Sequence, residues 1–60
     1  MKLYRSKKEA AASEGTIHEI HKTYATLADV VLDYYPDDDV FAWRDGDGRI
    51  RVGWAFKSPN

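Results

Sequence analysis

The sequence predicts an α+β domain: a short helix and a long helix packed on a C-terminal antiparallel β-hairpin, with room for a third short strand at the N-terminus. Three observations carry this. Ser6-Lys7-Lys8-Glu9 and Thr16-Ile17-His18-Glu19 are both capping boxes, a hydroxyl N-cap three residues before a Glu. The apolar residues from Ile17 to Tyr35 keep one helical register. Asp45-Gly46-Asp47-Gly48 is a turn signal between two runs rich in β-branched and aromatic residues.

The first capping box opens a helix over residues 7–14, an Ala-rich run that stops at Gly15, a residue suited to a positive-φ cap. The second opens a helix at Ile17. On a helical wheel with Thr26 at 0°, Ile17, Ile20, Tyr24, Leu27, Val31, Tyr34 and Tyr35 fall between about 80° and 180°, and Pro36 ends the run. The rival reading makes 16–23 a strand and lets Thr26-Leu27-Ala28-Asp29 cap a shorter helix. The long helix accounts for more residues with one register and is the expectation.

The hairpin joins residues 40–45 to 49–56. A turn centred on Gly46-Asp47 pairs Arg44 with Arg49, Trp43 with Ile50, Ala42 with Arg51 and Phe41 with Val52. Phe41, Trp43, Ile50, Val52, Trp54 and Phe56 then share one face, the expected core on which the helices pack. Lys2 to Arg5 supply the optional third strand, and Lys57 to Asn60 are expected to fray.

With 60 residues, the chain has space for one domain, residues 1–60. A domain of this size hides only about 60% of the surface that its unfolded chain exposes, so disulfides, a metal or oligomerisation commonly reinforce such folds. Zero Cys excludes disulfides, thiolate zinc sites and a cysteine nucleophile. No Ser stands in a nucleophile motif, and no catalytic residue is named. Asp45-Gly46-Asp47-Gly48 resembles part of a calcium loop, but Trp43 and Trp54 stand where terminal carboxylates belong, so a plain turn is expected. His18 and His21 can meet one metal from adjacent helical turns but lack a convincing third ligand. The expectation is therefore a protein without enzymatic activity, metal or cofactor.

Net charge is −1 but unevenly spread. Residues 1–8 carry Lys2, Arg5, Lys7 and Lys8, whereas residues 29–39 carry Asp29, Asp33, Asp37, Asp38 and Asp39. No apolar run approaches the roughly 18–20 residues that cross a bilayer, nor does a signal-like stretch open the chain. A cytoplasmic protein without membrane contact is expected.

Three surfaces are candidates for partner binding. Arg44 and Arg49, paired across the ladder with Arg51 beside them and Lys57 beyond, make a basic outer hairpin face. Facing like charges destabilise a ladder, and Arg forks suit phosphate or carboxylate. Tyr34 and Tyr35, next to Asp37-Asp38-Asp39, offer aromatic anchors beside carboxylates. Finally, the arc from Val30 to Leu32 on the long helix is about 200° wide, twice what one sheet contact needs. That surplus leaves a homodimer and a monomer equally weighted.

The size class, shared with many small proteins of phages and other mobile elements, fits a regulator or inhibitor that docks on a larger protein or nucleoprotein partner. The alternative is a nucleic-acid-binding module using the basic hairpin face.

Overall fold

The computed structural model describes residues 1–55. Phe56 and Lys57, given core and partner-binding roles above, lie outside the described residues, as does the 58–60 tail. The elements run β1 (Lys2–Tyr4), α1 (Lys7–Glu14), β2 (Ile17–Tyr24), α2 (Leu27–Asp33), β3 (Phe41–Arg44) and β4 (Ile50–Ala55). The fold is α+β, with two helices and a four-stranded mixed sheet in the order β1-β3-β4-β2.

The first helix forms as its signals require. Ser6 caps it, accepting from the Glu9 amide at 3.2 Å, and Gly15 closes it at φ +88° with its N–H on the Ala11 carbonyl. Few L-residues tolerate that φ, which makes glycine the natural choice. The short N-terminal strand also forms, parallel to β3.

The long helix does not form. Residues 17–24 are a strand, and Thr26 caps a seven-residue helix, its hydroxyl accepting from the Asp29 amide at 3.4 Å. The apolar residues of β2 are divided between the two faces of the sheet. Ile17 packs with Phe41 and Trp43, whereas Ile20 and Tyr24 pack with Ile50 and Val52. A strand covered on both faces loses the period-two alternation, and here the 17, 20, 24 spacing imitates a helix. Two extra residues, His21 and Lys22, interrupt the β2–β4 ladder as a bulge between Ile20 and Thr23.

The hairpin register also differs from expectation by one residue. Phe41 lies opposite Gly53, Ala42 opposite Val52, Trp43 opposite Arg51 and Arg44 opposite Ile50. Gly48 N–H bonds the Asp45 carbonyl at 3.0 Å, and Asp45 N–H bonds the Arg49 carbonyl at 2.9 Å. Gly48 itself sits at φ +82°. This is a three-residue loop with a left-handed glycine bulge, where the expected turn had two residues. The added residue sends Trp43 and Ile50 to opposite faces, and likewise Trp43 and Trp54.

Both faces are consequently covered, correcting the expectation that both helices share one. Ala10 of α1 closes over Phe41 and Trp43, with Tyr4, Ile17 and Ala55 around them. On the other face Val30 of α2 joins Tyr24, Ala42, Ile50 and Val52. The chain path explains the division. β1, β2 and β3 run in one direction and β4 against them. The crossover through α1 travels from one sheet edge to the other, and the crossover through α2 travels back. Two crossovers of the same hand, made in opposite directions, place their helices on opposite faces.

Trp43 is completely buried and packs tightly at Gly53. A Cβ at Gly53 would stand 2.9 Å from the Trp43 ring and 2.9 Å from the His18 carbonyl oxygen. The carbonyl belongs to the neighbouring strand and cannot swing aside. Gly53→Ala is expected to cost roughly 1–3 kcal/mol by overpacking, and Trp43→Ala roughly 3–5 kcal/mol by cavity formation. At about 4–8 °C per kcal/mol for a domain of this size, thermal melts followed by circular dichroism read both effects. A Gly53→Ala melt at or above the parent would refute the tight contact.

Candidate interaction surfaces

The hairpin arginines do not gather on one face. Arg44, opposite Ile50, points to the α2 side, and Arg51, opposite Trp43, points to the α1 side. Arg51 is engaged internally. Its Nε donates to the Asp45 carboxylate, one terminal nitrogen lies 3.3 Å from Glu19, and the other lies 4.0 Å from Asp47. Glu19 also takes Lys7 at 3.3 Å, which ties α1 to this network. The Arg51 hydrogen bond, helped by the Gly46 amide, holds the Asp45 carboxyl below its ordinary value, and Asp45 in turn raises Arg51. Asp47 accepts from the Arg49 amide at 3.0 Å, so the carboxylates that resembled a calcium loop serve the turn.

Arg44 and Arg49 are exposed and make no ion pair among the described residues. Because β1 and β3 are parallel, Arg5 at the end of β1 and Arg44 at the end of β3 emerge at the same end of the sheet, where α1 begins with Lys7 and Lys8. The opposite end carries the 35–39 corner. The molecule is therefore polarised along its strands.

That corner and α2 form the second surface. One side of α2 is fastened to the sheet: the Tyr24 hydroxyl donates to Asp33 at 2.7 Å, and Lys22 meets the same carboxylate at 2.6 Å. Lys22, and then Tyr24, hold the Asp33 carboxyl down. Burial, reinforced by Asp33, pushes the Tyr24 hydroxyl well above its ordinary value and keeps it a donor. Tyr34 leaves the helix in extended conformation and packs edge-on against Tyr24 at 6.4 Å. Asp38 then accepts from the Tyr35 amide at 2.9 Å while its own N–H returns to the Tyr35 carbonyl. This tight turn spends Asp38 on the backbone and leaves Asp37 and Asp39 exposed.

The expected tyrosine pair is divided by this geometry. Tyr34 is half-buried core, whereas Tyr35 is 77% exposed and stands with Leu32 at 83% and Val31 at 51%. Val31, Leu32, Asp33, Tyr34 and Tyr35 line a shallow recess of about 140 Å³. Leu32 and Val31 were visible in the sequence only as part of the over-wide apolar arc. A larger groove of about 390 Å³ lies beyond the corner, between Met1, Glu14, Asp37–Asp39 and Phe41. The Met1 ammonium closes one side of it by donating to the Pro36 carbonyl.

His18 stacks on Trp54 with ring centroids 5.5 Å apart, and His21 is exposed on the β2 bulge. The strand sends these neighbours into different surroundings. No group of three or more His, Cys, Asp or Glu is arranged for a metal among the described residues. No helix among them is long and apolar enough to cross a membrane. Comparison of the chain with protein-family models, with curated proteins and with solved structures finds no match.

The arginine network has a pH signature. Asp45 and Asp33 titrate lower in the folded state than their ordinary 3.8. Their stabilisation is therefore present above about pH 4 and lost as the pH falls through the depressed folded-state values. Arg51→Gln removes the main cause at Asp45, so it is expected to lower the melting temperature at pH 7 and to flatten the decline below pH 4. Arg44→Gln and Arg49→Gln are expected to leave the melt unchanged at pH 7. Equal melts for all three variants would contradict the internal role of Arg51.

Proposed function

We propose that this protein is a non-enzymatic interaction module that docks on a larger protein through the outer side of α2 and the 35–39 corner. It acts as a regulator or inhibitor by occupying that partner's site. The reading rests on one observation: Leu32 and Tyr35, 83% and 77% exposed, stand together at a shallow recess in a 60-residue domain. Clustered exposed apolar residues on a small protein mark interaction sites, and tyrosine is favoured at the centre of interfaces. Asp33, which lines the same recess, gives that centre a polar edge.

A second reading follows from the polarity of the molecule. Arg5, Lys8, Arg44 and Arg49 at the opposite end make a phosphate-binding surface for nucleic acid. Binding to random duplex through that end would weaken steeply with salt, roughly one counterion released per phosphate neutralised.

Site-specific photocrosslinking tests the first reading. Benzoylphenylalanine at position 32 is expected to give a discrete adduct in extract of the native cell, competed by unlabelled protein. The same group at position 12, on the exposed side of α1, is expected to give none. The same adducts from both positions, or none from position 32, would overturn docking through α2.

A further inference from the structure

We infer that the outer edge of β2 is a self-association site, where a second copy pairs antiparallel about a two-fold axis at His18. The sheet order β1-β3-β4-β2 leaves two edges. β1 forms one of them with three residues, the short kind of edge that offers little to a further strand. β2 has eight residues and meets only β4, on its inner side, among the described residues.

The ladder fixes which main-chain groups of β2 face outward. Asp45 donates to the Arg49 carbonyl, so these two form a hydrogen-bonded pair. Such pairs alternate with non-bonded ones along an antiparallel ladder. Arg51 and Gly53 therefore turn N–H and C=O to β3, while Ile50, Val52 and Trp54 turn theirs to β2. Opposite those three stand Tyr24, Ile20 and His18. The alternate residues Ile17 and Glu19 consequently present their N–H and C=O to the outside.

Native edges are commonly guarded by charge, proline or a bulge. Here the bulge at His21 and Lys22 guards only the second half of β2. The first half has no proline, and the Glu19 carboxylate is drawn over the sheet to Arg51 and Lys7.

This run is its own complement. With His18 on the axis, Ile17 of each copy faces Glu19 of the other, and each pair exchanges both main-chain bonds. His18 meets its counterpart at the non-bonded position, where side chains come closest. Each His18 stacks on Trp54 with ring centroids 5.5 Å apart, so the contact extends two ring pairs into one row. Neighbouring registers are worse. Centring on Glu19 sets two carboxylates directly opposite, which destabilises a ladder. Centring on Ile20 sets Glu19 against the bulge. Centring on Ile17 sets it against Gly15, whose φ of +88° lies outside the extended range. The product is a closed, isologous pair with one continuous sheet.

The contact uses main-chain groups of β2, not Leu32 or Tyr35, and stands independently of the docking proposal.

Sedimentation equilibrium of the full chain from 10 to 300 µM tests it, with amide exchange by NMR at both ends of that range. The parent is expected to be a dimer at the upper end. There the Ile17 and Glu19 amides are expected to exchange at least tenfold more slowly than at the lower end. Those of His18 and Ile20, bonded to β4 in either state, are expected to change less. Glu19→Pro removes one outward N–H and no bond of the β2–β4 ladder, a position that proline tolerates on an edge strand. It is expected to weaken association at least tenfold, with a thermal melt showing it folded. Lys7→Gln, which loosens the Glu19 side chain and keeps its amide, is expected to associate as the parent does. Exchange in the parent decides alone should Glu19→Pro fail to fold. A monomeric parent at 300 µM overturns the inference. So does a dimer whose Ile17 and Glu19 amides gain no protection, or a folded Glu19→Pro that associates like the parent.

Discussion

The left-handed Gly48 sets the register between β3 and β4, and that register decides which helix each central side chain meets. Shifting the pairing by one residue would bring Trp43 from the α1 side to the face with Ile50, because side chains alternate with a period of two. It would also carry Trp43 away from Gly53, the position with no Cβ to oppose it. Arg51 would leave Asp45 and Glu19, with which it now forms a network on the α1 side. Core, ion pairs and arginine placement are thus one decision. It is made by a single backbone conformation that glycine adopts without strain.

The features readable in the sequence are those governed by local interactions. The cap of α1 by Ser6 and its end at Gly15 depend on atoms within four residues, and they stand where the chain spells them. Thr26 as a cap was equally local, yet it competed with a second plausible cap at Thr16. Local signals cannot weigh one against the other, because the choice is made by tertiary cover. Ile17 and Ile20 each find a core, on opposite faces of a sheet that only β4 can complete. The hairpin lay between these cases. Its existence follows from Asp45-Gly46-Asp47-Gly48, but two glycines allow both a two-residue and a three-residue loop. The difference of one residue inverted the faces.

The same distinction governs the candidate surfaces. Arg44 and Arg49 opposite each other would have been a costly arrangement, and that cost made the arginine face look functional. The observed register removes the repulsion by placing Ile50 across from Arg44 and Arg51 among carboxylates. A conflict in a sequence-based pairing was evidence against the pairing itself. The over-wide apolar arc was the sounder signal. Shortening the helix to Leu27–Asp33 turns Leu27, Val30 and Tyr34 toward the sheet and leaves Val31 and Leu32 in solvent. Tyr34 and Tyr35, adjacent in sequence, are separated because the chain is extended at Tyr34, where neighbouring side chains point to opposite sides.

Small size ties these surfaces to stability. A 60-residue chain that divides its apolar residues between two faces has two thin cores instead of one thick one, the first around Trp43 and the second around Ile50 and Val52. Neither has a disulfide to brace it. On the α1 side, ion pairs from Lys2 to Glu14 and from Lys7 to Glu19 frame the core, and Ala10 allows close approach of the helix. On the α2 side, Lys22 and Tyr24 converge on Asp33 at the end of the helix, and the outer residues Val31 and Leu32 have no cover of their own. Anything that binds the folded state on that side stabilises it by mass action. The thinner cover over this core and the exposure of Val31 and Leu32 are therefore two consequences of the same short helix.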